Sequence, residues 1–196
     1  RIKDKISGDE GSKKHLSIIN NQIFEISKLV NSFSDFARMP KPIFEKNDIL
    51  EIVNSSIETY QLNYEKIKFI FKNFLTNTEI YCDKGQINRA LLNVYKNAIE
   101  SIEEKSRDVL LDGKIITELS EDKKFYFISI YDDGVGFKES GNFKHNDPYF
   151  TTKKDGSGLG LSIVSKIVHE HNGQIFYENR KKENGALVSI TIPKKI

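Results

Sequence analysis

A chain of 196 residues has room for one medium domain with an appendage, or for two small domains. Its 30 basic and 28 acidic side chains nearly cancel, to a formal net charge of +2, so no electrostatic footprint for nucleic acid or an anionic membrane is written into it. With 38% hydrophobic and 30% charged residues it reads as soluble and globular, with enough apolar material for a real core.

Cys82 is the only cysteine, which excludes a disulfide framework and a cysteine metal site and fits a reducing compartment. No apolar run approaches the ~18 residues needed to span a bilayer, and no signal peptide opens the chain. Because it opens on Arg1, the sequence is expected to be a fragment of a longer protein, whose remainder has room for a membrane anchor.

In chain order, "RIKDKI" looks like the end of a helix and "SGDEGS" like a turn. A long helix is then expected through "KKHLSIINNQIFEISKLVNSFSDFA". There Leu16, Ile19, Ile23, Ile26, Val30, Phe33 and Ala37 follow a 3-4 spacing, one apolar seam along about seven turns. Ile18, Phe24, Leu29 and Phe36 widen the stripe, which favours a four-helix bundle over a two-stranded coil. An ordinary core-packing helix is the alternative. The prolines of "RMPKPIF" end the helix in a stiff connector, so the seam needs a partner of its own, and self-association is the simplest. The expected division is a helical region over 1–40 and a second domain over 41–196.

Beyond the connector the pattern is mixed. "NDILEIVNSSIETYQL" reads as a helix capped by Asn47 or Asp48. "KIKFIF" and "TEIYC" alternate as strands. Asp83 with Gln86 forms a capping-box signal ahead of the helix "KGQINRALLNVYKNAIESIEEK". The strands "GKIITELS" and "KFYFISIYD" follow, then a polar stretch from Gly136 to Gly156. The helix "LGLSIVSKIVHEH" and the strands "GQIFYE" and "ALVSITI" complete the chain. The fold class expected is α+β: a two-layer α/β sandwich with one loop too long to be a mere connection.

The glycines of "KKDGSGLGLSIV" sit at the start of that helix. They do not form a P-loop, since no Gly-Lys-Ser/Thr occurs. They do not form a dinucleotide fingerprint either, because Leu161 stands at the third glycine's place and no strand precedes. Two other elements give the loop a context. On "NVYKNAIE", at about 100° per residue, Asn93, Asn97 and Glu100 project within roughly 60° of one another with Lys96 nearby, while Ile87, Ala90, Leu91, Val94, Ala98 and Ile102 take the opposite side. Asparagine is an unusual choice for a solvated helix face. Amide oxygens, a carboxylate and an ammonium suit a hydrated Mg²⁺ bound with polyphosphate; a plain polar face is the alternative. In "ISIYDDGVGF", Asp132 ends a strand ahead of Gly134 and Gly136, and can accept from an exocyclic amine while the glycines admit a flat ring. DxGxG can also mark only a turn.

In this order the elements resemble the ATP-binding domain of sensor histidine kinases. "LLNVYKNAIESI" resembles the N box, "DDGVGF" the first glycine box, "PYFTTK" the F box and "GSGLGLSIV" the second glycine box. "SFSDFARMPKPIF" is similar to the dimerisation helix and linker of nitrogen-regulation kinases of the NtrY type. The resemblance implies the GHKL ATPase fold shared with gyrase and Hsp90, preceded by a helical-hairpin remnant of a four-helix-bundle dimerisation domain. It implies ATP and Mg²⁺ as cofactors, with Asn97 on the metal, Asn93 assisting and Lys96 near the phosphates. Asp132 would hold the adenine amino group, with Gly134 and Gly136 shaping the pocket. The long loop would be an ATP lid anchored by Phe150, carrying Thr152 and Lys153, with Gly156, Gly158, Leu159, Gly160 and Leu161 as hinge and helix start facing phosphate oxygens. The partners implied are a second copy bound through the N-terminal helix and the receiver domain of a response regulator. The location implied is cytoplasmic, any inner-membrane anchor lying outside this chain.

Three departures stand out. Asp133 replaces an asparagine common in relatives, adding negative charge at the adenine mouth. "ENGAL" matches the third glycine box only loosely, so no contact is assigned to it. No histidine carries the acidic neighbour of a phosphoacceptor: His15 precedes Leu16, and His145, His169 and His171 lack that context. A kinase module acting on a histidine elsewhere is the expected function. The alternatives are a hydrolytic GHKL ATPase and a degenerate nucleotide-binding scaffold. Against hydrolysis, Asn93 stands where those ATPases place a general-base glutamate and cannot take a proton.

Overall fold

The computed structural model describes residues 10–105, 112–137, 159–180 and 184–194. Helix α1 spans Glu10–Ala37, so the expected turn over Ser7–Ser12 gives way to helix by Glu10; the expected preceding helix lies outside the described residues. The seam faces solvent: Leu16, Ile19, Ile23, Ile26, Val30 and Phe33 are all exposed, Val30 to 58%. At the other end of α1, Phe36 and Met39 pack against the core of the rest of the chain.

After the connector comes a short strand that the sequence reading did not anticipate, β1 (Glu45–Asp48), pairing antiparallel with β3 (Glu79–Cys82). Its four residues carry no apolar alternation, and backbone pairing together with the Asn47 Nδ2 bond to Cys82 O (3.0 Å) hold it. Helix α2 (Ile49–Gln61) is capped by Asp48, whose Oδ1 accepts from Leu50 N at 2.7 Å and Glu51 N at 3.3 Å.

The main sheet has five strands in the order β2-β4-β5-β7-β6. Its strands are β2 (Ile67–Asn73), β4 (Gly113–Glu121), β5 (Phe125–Asp132), β6 (Gln174–Asn179) and β7 (Ala186–Pro193). β2 runs parallel to β4, and the other pairs are antiparallel. Period-two alternation buries Tyr126, Ile128, Ile130 and Asp132 of β5 and Ala186, Val188, Ile190 and Ile192 of β7 on one face. On that face lie α2, α3 (Lys84–Lys105) and α4 (Gly160–Glu170). Ile52, Leu91, Val94, Tyr95, Val164 and Ile167 fill the layer between, the two-layer α/β sandwich expected. Each such side chain contributes about 1.5–3 kcal/mol by leaving water.

Half of the expected capping box forms at α3. Asp83 Oδ1 accepts from Gln86 N at 3.0 Å. The Gln86 side chain does not return to the Asp83 N–H; its Nε2 donates instead to Pro40 O at 3.0 Å, holding the connector. Lys166 Nζ of α4 donates to Phe36 O at 3.0 Å and lies 5.0 Å from the Phe36 ring centre, supplying a positive charge to the C-terminal end of α1.

Candidate functional site

The site is built where α3, α4 and the loop after β5 meet. Apolar residues turn the back of α3 to the sheet, which leaves Asn93 and Asn97 on the side towards α4, both half-buried. Asn93 Nδ2 is spent on Arg89 O at 2.8 Å, so its free acceptor is Oδ1. A Cβ placed on Gly160 would sit 3.6 Å from Asn93 Oδ1 and 3.8 Å from the Asn97 amide atoms, so both asparagines border the first turn of α4. That turn carries no side-chain cap and no acidic residue. Its backbone N–H groups, which a helix leaves without intrahelical partners, therefore open beside two amide side chains. Lys96 is not drawn into this group: its side chain is 58% exposed and pairs weakly with Glu100 at 4.0 Å.

Asp132 lies across from them at the end of β5, only 5% exposed. Its Oδ1 accepts from Gly134 N at 2.9 Å and Ala186 N at 3.3 Å, and Oδ2 takes no donor among the described residues. Burial raises its pKa above the ordinary aspartate value; the two N–H bonds oppose this, and the Asp133 charge adds to it. Gly134 rests directly on α3, since a Cβ there would come within 2.3 Å of Ser101 Oγ and 2.6 Å of the Ser101 carbonyl carbon. Val135 N donates to Ser101 O at 3.3 Å. The DxGxG loop is thus seated one turn beyond Asn97 on the helix that carries it. Gly136 takes φ +75, and Phe137 N and O are clamped by the Asn179 amide at 2.7 Å and 2.8 Å.

Two features were not read from the sequence. Gly185 adopts φ +109 and packs so tightly that a Cβ would lie 2.0 Å from Asp132 O. It turns the next residue's N–H onto Asp132, so the loosely matched "ENGAL" supplies one of the two donors that orient the carboxylate. The second is the anchoring of Asp133. Its carboxylate is held by the strand, accepting from Lys114 N at 2.9 Å at the start of β4. The expected negative charge is held by a strand end that offers an amide donor, and it still acts on Asp132. Phe150, Thr152, Lys153, Gly156 and Gly158 lie outside the described residues, as does His145, while Leu159 is fully buried and Leu161 half-buried at the helix start.

Among the described residues no group of three or more His, Cys, Asp or Glu could hold a metal ion, and no helix is long and apolar enough to cross a membrane.

Residues 82–196 match the family described as histidine kinase-, DNA gyrase B- and HSP90-like ATPase. A putative sensor histidine kinase, NtrY-like, of Rickettsia felis is 32% identical over 190 residues, covering 97% of this chain and 31% of that protein. The chain therefore spans about a third of the length of that relative. A nucleotide-free catalytic domain of histidine kinase ThkA superposes with a TM-score of 0.67 at 30% identity, over 78% of this chain and 96% of that one. ThkA in complex with the response regulator protein TrrA gives 0.75 at 25% identity, over 99% and 56%. The chain belongs to the histidine kinase-, DNA gyrase B- and HSP90-like ATPase family, and its relatives within it are sensor histidine kinases.

Proposed function

We propose that this chain is the catalytic part of a sensor histidine kinase, binding Mg²⁺-ATP between α3, α4 and the loop after β5. The γ-phosphate would pass to a histidine on a dimerisation helix outside the described residues, and from there to a response regulator receiver. The observation that carries the reading is the buried Asp132 carboxylate. Two backbone donors aim it, its second oxygen is open to an exocyclic amine, and it shares α3 as a base with Asn93 and Asn97. Asn97, with Asn93 beside it, would hold the metal. Two amide oxygens without a carboxylate cage fit Mg²⁺ that arrives with polyphosphate and keeps most of its waters. Bound there, the ion would neutralise phosphate charge. The N–H groups of Gly160 and Leu161 would meet phosphate oxygens, and Lys96, lightly held by Glu100, is free to swing towards them. In phosphoryl transfer, positioning and charge neutralisation supply most of the catalysis.

Transfer is favoured over hydrolysis because Asn93 stands four residues before Asn97, where a hydrolase needs a base, and its amide is tied to Arg89 O. The domain division at residue 40, the homodimer through α1 and the receiver partner belong to the same proposal. The exposed seam supports the dimer, and the ThkA–TrrA complex supports the receiver. Any membrane attachment would reside elsewhere in the full protein.

The test is incubation with γ-labelled ATP and Mg²⁺, alone and with a longer copy that carries the acceptor helix and an Asp132→Ala site. The expected result is acid-labile, base-stable label on the longer copy only. Release of phosphate without protein label would favour hydrolysis. Acid-labile label on this chain alone, lost in His15→Gln, would make His15 the acceptor.

A further inference from the structure

His171 lies at the C-terminal end of α4, about 16 Å along the helix from Gly160, and is fully buried. Both ring nitrogens are engaged: Nδ1 lies 2.8 Å from Ile167 O, and Nε2 lies 3.0 Å from Asp83 N. A backbone N–H can only donate, so Nε2 is the acceptor and the ring is the neutral tautomer with its proton on Nδ1. The two bonds differ in weight. Ile167 O also accepts from His171 N at 3.1 Å, whereas the Asp83 N–H has no other acceptor among the described residues.

That N–H is one of the donors a helix leaves open at its start. In a capping box the third residue's side chain would take it. Here Gln86 has gone to Pro40, and a histidine from another helix replaces it. The Asp83 carboxylate meanwhile holds Gln86 N at 3.0 Å and Ile43 N at 2.9 Å. One knot therefore joins the start of α3, the end of α4 and the connector. The two helices run from this knot to the cleft in opposite chain directions, α3 reaching Asn93 about 15 Å away.

We infer that His171 is a positioning residue for the nucleotide site. Its neutral Nε2 fixes the sliding register of α3 against α4, and so places Asn93 and Asn97 opposite the open first turn of α4. The inference rests on the reading of that cleft as an Mg²⁺-ATP site.

The test compares two variants of the full chain that each lose one hydrogen bond. His171→Gln keeps an acceptor for the Asp83 N–H. His171→Asn keeps only the donor to Ile167 O. Calorimetry with ATP and Mg²⁺ should show affinity within about twofold of wild type for Gln and about tenfold weaker for Asn, the size usual for coupled sites. A merely structural histidine would let affinity follow the melting temperature in both. In the unaltered protein, ¹⁵N spectra should show an unprotonated Nε2 coupled through the hydrogen bond to the Asp83 amide. If the Asn variant does not fold, this signature and the affinity of the Gln variant decide. Equal affinities in the two variants, or a protonated Nε2, would overturn the role of His171. A wild-type chain that binds no Mg²⁺-ATP would instead overturn the reading of the cleft, and the positioning role with it.

Discussion

Replacing Gly185 by alanine should damage both the fold and the proposed adenine pocket, although the change adds a single methyl group. At φ +109 an L side chain is strained, a cost of about 1–3 kcal/mol. The added Cβ would also lie 2.0 Å from Asp132 O, 2.7 Å from Asp132 C and 2.8 Å from Asp133 Cα. All three are backbone atoms between the end of β5 and the DxGxG loop, so no side chain can swing aside. Overpacking of this kind costs about 1–3 kcal/mol more. The expected loss is therefore about 2–6 kcal/mol, against a stability for a domain of this class of about 5–15 kcal/mol. Relief would come by moving the strand start away, which breaks the Ala186 N bond to Asp132 and releases the carboxylate. Urea unfolding measures the first effect through the midpoint at constant slope, and calorimetry with ATP measures the second. Gly85→Ala is the control. It lies in the first turn of α3, its nearest neighbour would be Asp83 Oδ1 at 3.4 Å, and the substitution should be neutral or stabilising. A loss under about 1 kcal/mol in Gly185→Ala, with ATP affinity unchanged, would refute the reasoning from close packing.

Two further outcomes are expected. If Asp132 holds the adenine amine as proposed, its raised pKa means that ATP affinity should begin to fall on acidification above the usual aspartate value of about 3.9, since the amine needs an ionised acceptor; a titration that stays flat down to that value would contradict this. For folding the sign is opposite. The native state holds this proton more tightly, so the carboxyl's contribution is fullest below the unfolded value and is lost as pH rises through the raised one. On α1, Ile23→Asp with Val30→Asp should turn a sedimenting dimer into a folded monomer that still binds ATP, because both positions are more than half exposed on the seam. A chain already monomeric at high concentration before mutation would count against the seam as an interface.

Much of the architecture was legible because it is encoded over short distances. The 3-4 spacing of α1, the alternation along β4, β5 and β7, and the Asp48 cap each depend on residues within a turn or a pleat of one another. The candidate cleft was legible in part for the same reason: Asn93 and Asn97 share a helix face by spacing alone, and Asp132 and Gly134 are close neighbours. What only the tertiary structure decided lies between residues distant in sequence. The strand β1 has no pattern of its own and exists because β3 offers it a ladder. Asp133 is anchored by the amide of Lys114, 19 residues away. Ala186, turned by Gly185, serves Asp132 from 54 residues away, and His171 caps Asp83 from 88. A local pattern fixes which hydrogen-bonding groups a segment must leave unpaired, at a helix start or a strand end. Which distant group then satisfies them depends on how the layers pack, because a backbone N–H donates to any well-placed oxygen or nitrogen and carries no mark of which one it will meet.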